Sequence, residues 1–566
     1  MANMTKDWEL YEAGKNYNNR IEPNYYDTVN ANIDFYSGNQ WRNLPDSEMP
    51  KPVFNIIKRV ITFFVASLTT SKVQLHYEPL MLADNTPDLE IDAADVANAQ
   101  TATLFDKFKM EFKTRDALFD GAITGDYCAH FYFDMNKRPY NYAPGIKGEI
   151  CMELVDGTNV FFGNANNSRT DPQPYIIISG RDTVENLRAE ARRYREMARQ
   201  DAMDEQDQQE SDDFENIQPD KEYEYQAGEN GEIEVESDES GKALYIIVYR
   251  KTKKNVETGR DDLTDEPIIE EVSTITASKS VRGTYIYKDI DTGLSHYPIA
   301  WANWEKQKNT YRGRALATGL LPNQIFINRM FAMVMYHLMM TAFPKAVYNA
   351  DAIGLWDNAI GEAIPLSGVG FETNIKNVAA YLEPANMSNQ IVQVIELVMQ
   401  YTKETMGISD AALGQIDPKN TSAIIAVQKS SAIPLENPKA NLYEWVEDIG
   451  QILFDMMGTY YGMRPIVREV DVPDPMGGPS KTQKVSQMFD FTVFKDMWLD
   501  VKADVGESSY WSQIAANQTL DNMLAQGHID IVQYLERVPD EYIPQKDNLI
   551  AQVQQRMMQA QMQAQL

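Results

Sequence analysis

The sequence predicts a mixed α+β fold that is mainly α-helical, and three observations lead to it. The chain has 566 residues, of which 43% are hydrophobic, enough for several packed layers and more than one domain. Segments with helical spacing of apolar residues alternate with short segments rich in β-branched and aromatic residues. After Gly313 this mixed pattern gives way to long helical stretches.

The N-terminal part of the chain is predicted to mix helices with strands. Helices are expected over Asp27 to Gly38, Val53 to Leu68 and Ile91 to Leu118, the second one starting after Pro50 and Pro52. Strands are expected over 130–133, 150–154, 160–162, 175–179, 243–251 and 281–287. A charged helix, 184–200, leads into a segment at 201–239 that carries seventeen acidic residues and one lysine. Its composition predicts a solvated, partly disordered insertion.

Two long helices that flank a small β element are predicted in the middle of the chain. The first, Ala315 to Thr341, contains five methionines, which favours a helix–helix interface because methionine repacks easily. The segment 344–382 is predicted to hold short strands at 345–348 and 363–366. The second helix, Ser388 to Met406, places four residues on one face, namely Ile391, Ile395, Val398 and Thr402.

The chain then returns to mixed structure. A loop at 408–420 precedes a predicted helix at 421–462, which Pro434 and Pro438 should kink because each removes a backbone donor. Strands are expected at 464–470, 484–494 and 498–505. The last predicted helices are 511–525, 530–536 and 546–566.

Charge and composition exclude several functional classes. The formal charge of −31 argues against a protein that grips DNA by neutralising phosphates, but not against one that lets DNA slide past. Cys128 and Cys151 form no CxxC pair and are predicted to be buried free thiols, and the five histidines lack zinc-site spacing. No apolar leader follows Met1, and no long apolar stretch reaches the roughly 20 residues of a membrane span. We therefore expect a soluble chain made in the cytosol.

Four segments resemble the portal proteins of tailed bacteriophages. They are FYSGNQW (35–41) followed by Pro52 and Asn55, YRGRALATGLLPNQIFINRMFAM (311–333), GISDAALGQIDPKNTSAIIAVQ (407–428) and VGESSYWSQIAANQTLDNMLAQGHIDIVQYLERVP (505–539). Their order along some 500 residues carries the resemblance. The acidic insertion and a short C-terminal tail depart from the family pattern.

The resemblance implies the portal fold. Residues 1–314 would form most of the wing, including the acidic insertion 201–239, and 315–342 the first stem helix. Residues 343–387 would form a small β clip, 388–406 the second stem helix and 407–420 the tunnel loop. Residues 421–504, with the long kinked helix, would complete the wing, and 505–566 would form a short helical crown.

The resemblance also implies a function, a localisation and partners. Twelve copies would form a ring at one capsid vertex of the virion, assembled in the host cytoplasm, as the channel for genome packaging and ejection. Partners would be double-stranded DNA, the terminase, a head-completion adaptor, and the scaffold and major capsid proteins, with no membrane and no cofactor. Candidates for the stem interface are Ile391, Ile395, Val398 and Met333. Candidates that face DNA in the tunnel loop are Gln415, Asp417, Lys419 and Asn420. Lys419 and Lys403 could touch phosphates, or they could be solvated helix-end charges.

A catalytic function has little support in the sequence. The nearest approach to a phosphate-binding loop, GGPSKT at 477–482, lacks the glycine before lysine, and its proline removes a donor amide. No catalytic or metal-binding residue is therefore predicted. The alternative is a terminase-like motor or hydrolase whose active site forms between subunits, and a third reading is another ring-forming virion protein such as an adaptor.

Overall fold

The computed structural model describes most of the chain. It covers residues 4–42, 45, 49–69, 73–79, 88–138, 147–201, 213–219, 241–260, 267–342, 346–353, 374, 378–381, 389–405, 435–472, 481–505, 520, 522–524, 526, 529–538, 546, 549–550 and 553.

The fold is mixed α and β, and more of the described residues lie in helices than in strands. The helices are α1 (Lys6–Arg20), α2 (Tyr25–Ser37), α3 (Ile56–Leu68), α4 (Asp88–Phe108), α5 (Met110–Thr124), α6 (Val184–Asp201), α7 (Leu316–Ala342), α8 (Asn389–Thr405), α9 (Glu436–Tyr460) and α10 (Ile531–Arg537). The strands are β1 (Val73–Pro79), β2 (Asp126–Asp134), β3 (Glu149–Val155), β4 (Val160–Phe162), β5 (Tyr175–Thr183), β6 (Lys242–Arg260), β7 (Pro267–Val281), β8 (Thr284–Asp291), β9 (Ile299–Asn303), β10 (Ala346–Tyr348), β11 (Ala379–Tyr381), β12 (Met463–Val472), β13 (Lys481–Asp490) and β14 (Leu499–Val505).

The chain divides into two compact units. The first unit contains Met1–Phe64, Asp116–Phe131 and Met152–Ser409, and the second contains Val65–Arg115, Tyr132–Cys151 and Asp410–Leu566. Each unit is therefore assembled from segments that are distant in sequence.

A five-stranded antiparallel sheet is the main β element of the first unit. Its strand order is β4-β5-β6-β7-β8, so consecutive strands are neighbours throughout. Helix α1 packs on it, and Trp8 and Tyr11 join Phe161, Ile177 and Leu244 in one buried cluster. Burial of each such side chain contributes roughly 1.5–3 kcal/mol, which fixes α1 on the sheet.

The second unit is built around α9. The side of α9 that contains Trp445, Ile449 and Leu453 is fully buried. Strands β1 and β14 pair antiparallel, as do β12 and β13. The Tyr77 hydroxyl on β1 donates to the carbonyl oxygen of Gly450 on α9 at 2.9 Å, which ties this strand to the helix.

Most predicted elements are confirmed, with shifts of a few residues at their ends. Helix α2 ends at Gly38 in the left-handed conformation (φ 96°), as its sequence indicates, and α6, α7 and α8 occupy the predicted ranges. Strand β10 confirms the predicted strand at 345–348, but its partner is β11, whereas 363–366 lies outside the described residues. Cys128 and Cys151 are buried free thiols, as predicted.

Three predictions about element boundaries are wrong. The single helix predicted at 91–118 is two helices, because Lys109 takes a positive φ of 54° and ends α4. The strand predicted at 281–287 contains the turn between β7 and β8. Pro438 kinks no helix, because it lies in the first turn of α9, where its missing N–H is not needed; Pro434 lies outside the described residues.

Candidate subunit interface

The FYSGNQW segment folds into a hydrogen-bonded hub at the end of α2. Gln40 Nε2 donates to the carbonyl oxygen of Phe35 at 3.0 Å, and Asn55 Nδ2 donates to the carbonyl oxygens of Phe35 and Tyr36 at 3.1 and 2.8 Å. Trp41 Nε1 donates to the carbonyl oxygen of Pro52 at 2.8 Å. Side chains thus satisfy the carbonyl groups that a helix end leaves without partners.

The hub also holds the entry of α7. Asn328 Nδ2 donates to Gln40 Oε1 at 2.5 Å. Gln324 accepts from the backbone N–H of Ile56 at 2.9 Å and donates to the carbonyl oxygen of Phe54 at 2.7 Å. Two segments that carry the family resemblance, almost 290 residues apart, therefore meet in one polar cluster.

A second buried network, the Arg312 lock, lies just before α7. It consists of Arg312 and the groups that its guanidinium contacts, which include Asp126, Tyr25 and Asn18 and the carbonyl oxygens of Gly157 and Val160. Arg312 Nη1 lies 3.2 Å from Asp126 Oδ2 and 2.5 Å from the oxygen of Gly157, and Nη2 lies 2.8 Å from that of Val160. The guanidinium therefore ties β2 and the start of β4 to the base of α7.

The same network explains why Tyr311 and Gly313 flank Arg312. The Tyr311 hydroxyl donates to Asn18 Oδ1 at 3.3 Å, and the N–H of Gly313 donates to Asp126 Oδ1 at 2.6 Å. A Cβ atom on Gly313 would come within 2.7 Å of Cβ of Asn303, so only glycine fits.

The electrostatics of the lock keep its arginine charged. Burial alone would lower the pKa of Arg312, but Tyr25, Tyr311 and Asp126 raise it, and the net shift is upward. Burial raises the pKa of both Tyr25 and Tyr311, so both are neutral donors. The ring of Tyr25 also lies 4.2 Å below the guanidinium.

Helices α7 and α8 pack against each other and together form the α7–α8 pair. On α8, Ile395 and Thr402 are buried, whereas Ile391 and Val398 on the same face are half-buried. On α7, the buried stripe includes Leu320, Gln324 and Ile327. One side of each helix is therefore satisfied within a single chain.

Each helix of the pair also carries an exposed apolar stripe. On α7 the outer stripe is Phe326, Met333 and Met340, spaced by seven residues and 42, 49 and 50% exposed. On α8 the outer stripe is Val394, Leu397 and Tyr401, which are 39, 49 and 57% exposed. Large apolar side chains that are exposed along one side of a helix are candidate contacts with another chain.

The residues that the sequence singled out fall into three groups. Met333 lies on the outer stripe of α7, and on α8 Ile395 is buried whereas Ile391 and Val398 are half-buried. Gln415, Asp417, Lys419 and Asn420 lie outside the described residues. Sequence reasoning missed the Arg312 lock and the outer stripe of α8.

Part of the acidic insertion is folded. Phe214 and Ile217 are buried in a cluster with Val184, Leu187 and Ala191 of α6. The segment Asp213–Pro219, here called the anchor segment, is also bound by arginines of α6: Arg192 forms two hydrogen bonds to Glu215, and Arg188 donates to the carbonyl oxygen of Ile217. The prediction of a solvated insertion is therefore wrong for these residues.

Comparison with known proteins adds no relative. No protein-family model matches the sequence, and no curated protein matches it.

Among the described residues, no three His, Cys, Asp or Glu side chains are grouped as a metal site would require. One helix of the described part, α7, is long and apolar enough to cross a membrane by length and composition, and little of its most apolar stretch is buried.

Proposed function

We propose that this chain is the portal subunit of a tailed bacteriophage, a ring-forming protein through which DNA enters and leaves the capsid. The observation that carries the proposal is the pair of exposed apolar stripes on the α7–α8 pair. A closed ring is a heterologous assembly, so every subunit needs two different complementary faces. The outer stripes of α7 and α8 supply two such faces on adjacent helices.

The base of the α7–α8 pair supports the same function. The hub of FYSGNQW and the Arg312 lock hold the start of α7 through buried hydrogen bonds with Gln40, which follows α2, and with β2 and β4. A subunit whose stem contacts neighbours on both sides needs such a fixed base, because a small rotation per subunit would accumulate around a ring. In this reading α7 and α8 are the stem helices, β10 and β11 belong to the clip, and the rest is wing and crown.

The acidic charge is compatible with a DNA channel. A formal charge of −31 per subunit disfavours retention of phosphates, so duplex DNA could move through a ring without many fixed contacts. This argument fits translocation better than tight DNA binding. Terminase, a head-completion adaptor, scaffold and capsid protein are the partners in this proposal.

Ring formation tests the proposal directly. Twelve chains of 64.4 kDa give a closed particle of about 770 kDa in native mass spectrometry, with a central hole in negative-stain images. Leu397→Asp places a carboxylate in the outer stripe of α8 and should abolish rings, because an unpaired buried charge costs several kcal/mol. Val392→Asp, at an exposed apolar position on the other side of the same helix, is the matched control and should assemble normally.

Three outcomes would contradict the proposal. A stable dimer or tetramer without a hole would favour an enzyme, and ATP hydrolysis by the purified chain would favour the terminase-like alternative. Recovery of the wild-type chain in the membrane fraction would assign the exposed surface of α7 to lipid instead of to a neighbouring subunit.

A further inference from the structure

The strands β6 and β7 extend far beyond the sheet to which they belong. Pairing of β5 with β6 ends at Tyr175↔Arg250, and pairing of β7 with β8 ends at Thr276↔Asp291. From Lys253↔Ser273 to Arg260↔Pro267, β6 and β7 continue as a two-stranded ribbon, here called the β-arm, with one register shift between Glu257 and Gly259. Its eight residues on β6 correspond to a length of about 25 Å.

Both edges of the β-arm present backbone groups outward. Lys251 donates its backbone N–H to the carbonyl oxygen of Pro174 at 3.3 Å, on the side away from β7. Because backbone direction alternates along a strand, the N–H and C=O of Lys253 and Asn255 point to that same side. These two residues form the edge of β6 in the β-arm, with which no strand of the described part of the chain pairs; it is called the free edge of β6.

The hydrogen bonds of β7 show independently that its backbone groups also point outward. The backbone N–H of Ile275 donates to Leu294 at 3.0 Å, and its carbonyl oxygen accepts from Thr292 at 3.0 Å, both outside the ribbon. Ser273 and Glu271 therefore point their backbone groups away from β6. They lie opposite Lys253 and Asn255, as the register requires.

We propose that the β-arm joins neighbouring copies of this chain, by pairing one of its free edges with the backbone of an adjacent subunit. The inference rests on the proposed ring, which places a second copy beside each subunit. A two-stranded ribbon is at best marginally stable in water, and a third strand supplies the missing ladder. Addition of a strand to an exposed edge is a general mode of protein association.

The charges on the β-arm favour a protein partner over nucleic acid. Lys253 Nζ lies 2.7 Å from Glu271 Oε2, and Lys254 Nζ lies 2.9 Å from Asp291 Oδ2. Because these ammonium groups are paired with carboxylates of the same chain, they offer little net charge to phosphates. The same pairing weakens the repulsion with which edge lysines otherwise block strand addition.

Proline substitutions test the free edges without breaking the ribbon. The double variants Lys253→Pro with Asn255→Pro, and Glu271→Pro with Ser273→Pro, remove outward N–H groups that β6 and β7 do not use to pair with each other. At least one of them should lower the ring-forming fraction at equal concentration by about tenfold or more, since ladder hydrogen bonds are lost at every interface. Lys253→Ala with Asn255→Ala keeps the N–H groups and should form rings like the wild type.

A shortened hairpin keeps the test decisive if the proline variants misfold. Replacing residues 255–271 by Asn-Gly closes the Lys254↔Val272 pair with a two-residue turn and removes the β-arm beyond that pair. Circular dichroism and the unfolding temperature check that the chain is folded. Wild-type rings together with normal rings from the shortened chain would overturn the inference and leave the proposed function intact, whereas absence of wild-type rings would overturn the proposed function itself.

Discussion

Arg312 is the residue on which the base of α7 depends. Its side chain is 3% exposed and that of Asp126 is fully buried, so neither charge has water to solvate it. Removal of one partner from such a pair leaves an uncompensated buried charge, which is far costlier than loss of a surface ion pair. Loss of one partner is therefore costly, although the intact pair adds little to the net free energy of folding.

Arg312→Lys keeps the positive charge but should destabilise the first unit by about 1–3 kcal/mol, because one ammonium group cannot reach the oxygens of Asp126, Gly157 and Val160 together and leaves buried acceptors unsatisfied. The unfolding free energy is best measured in urea in the ring-deficient Leu397→Asp background, so that assembly does not contribute. Arg314→Lys, two residues away and exposed, is the control and should change stability by less than about 0.5 kcal/mol. Equal stability of the two variants would show that the lock is dispensable.

The sequence could indicate the face of α8 but not its partners. Helical spacing places Ile391, Ile395 and Val398 on one side, and in the structure this is a buried or half-buried side of a helix that packs on α7 of the same chain. The neighbouring stripe of Val394, Leu397 and Tyr401 has similar spacing, and only the packing reveals which of the two remains exposed. The Arg312 lock was beyond prediction, because its partner Asp126 lies 186 residues away.

At the scale of elements, helix ends were predicted best where a single residue type determines the backbone conformation. Gly38 ends α2 as predicted, whereas Asn24 caps the start of α2 three residues before the predicted start at Asp27. Lys109 gives no such signal, yet its positive φ divides α4 from α5. Strand β9 was also missed, because only its pairing with β2 distinguishes this short buried run from other apolar segments.

The two ends of the acidic insertion lie too far apart to be joined directly. Gly241 accepts a hydrogen bond from the N–H of Val184, at the start of α6, whereas the insertion begins at the other end of that helix. Eighteen helical residues span about 27 Å, so the chain needs at least about eight extended residues to return. If residues 201–239 were deleted and the flanking residues joined directly, the chain could not span this distance, and α6 would lose its packing on the sheet.

Two variants separate the contribution of the anchor segment to stability from that of the acidic residues on either side of it. A tether variant, with Gly/Ser sequence of equal length in place of 202–212 and 220–240, should keep the unfolding temperature unchanged, because these two stretches are acidic and contain few apolar residues. Phe214→Ala should destabilise the α6 cluster by about 3 kcal/mol, since it empties a buried aromatic site. Differential scanning calorimetry compares the two, and loss of stability in the tether variant alone would contradict this assignment.

At the scale of the whole molecule, apolar contact and charge act in opposite directions. The outer stripes of α7 and α8 favour association, whereas each subunit brings a formal charge of −31 to every neighbour. Self-repulsion of this size opposes a compact assembly most strongly when few salt ions are present. Ring closure should therefore depend on ionic strength. The sign of this dependence shows whether apolar contacts or ion pairs hold the subunits together.

We expect the ring fraction to rise between about 10 and 150 mM NaCl, because the screening length falls from roughly 30 to 8 Å over that range. Native mass spectrometry in volatile salt or sedimentation velocity measures the fraction directly. The tether variant lacks fourteen of the seventeen acidic residues of 201–239 and should close at lower salt than the wild type. Rings that instead dissociate as salt increases would show that exposed ion pairs, and not the apolar stripes, hold the subunits together.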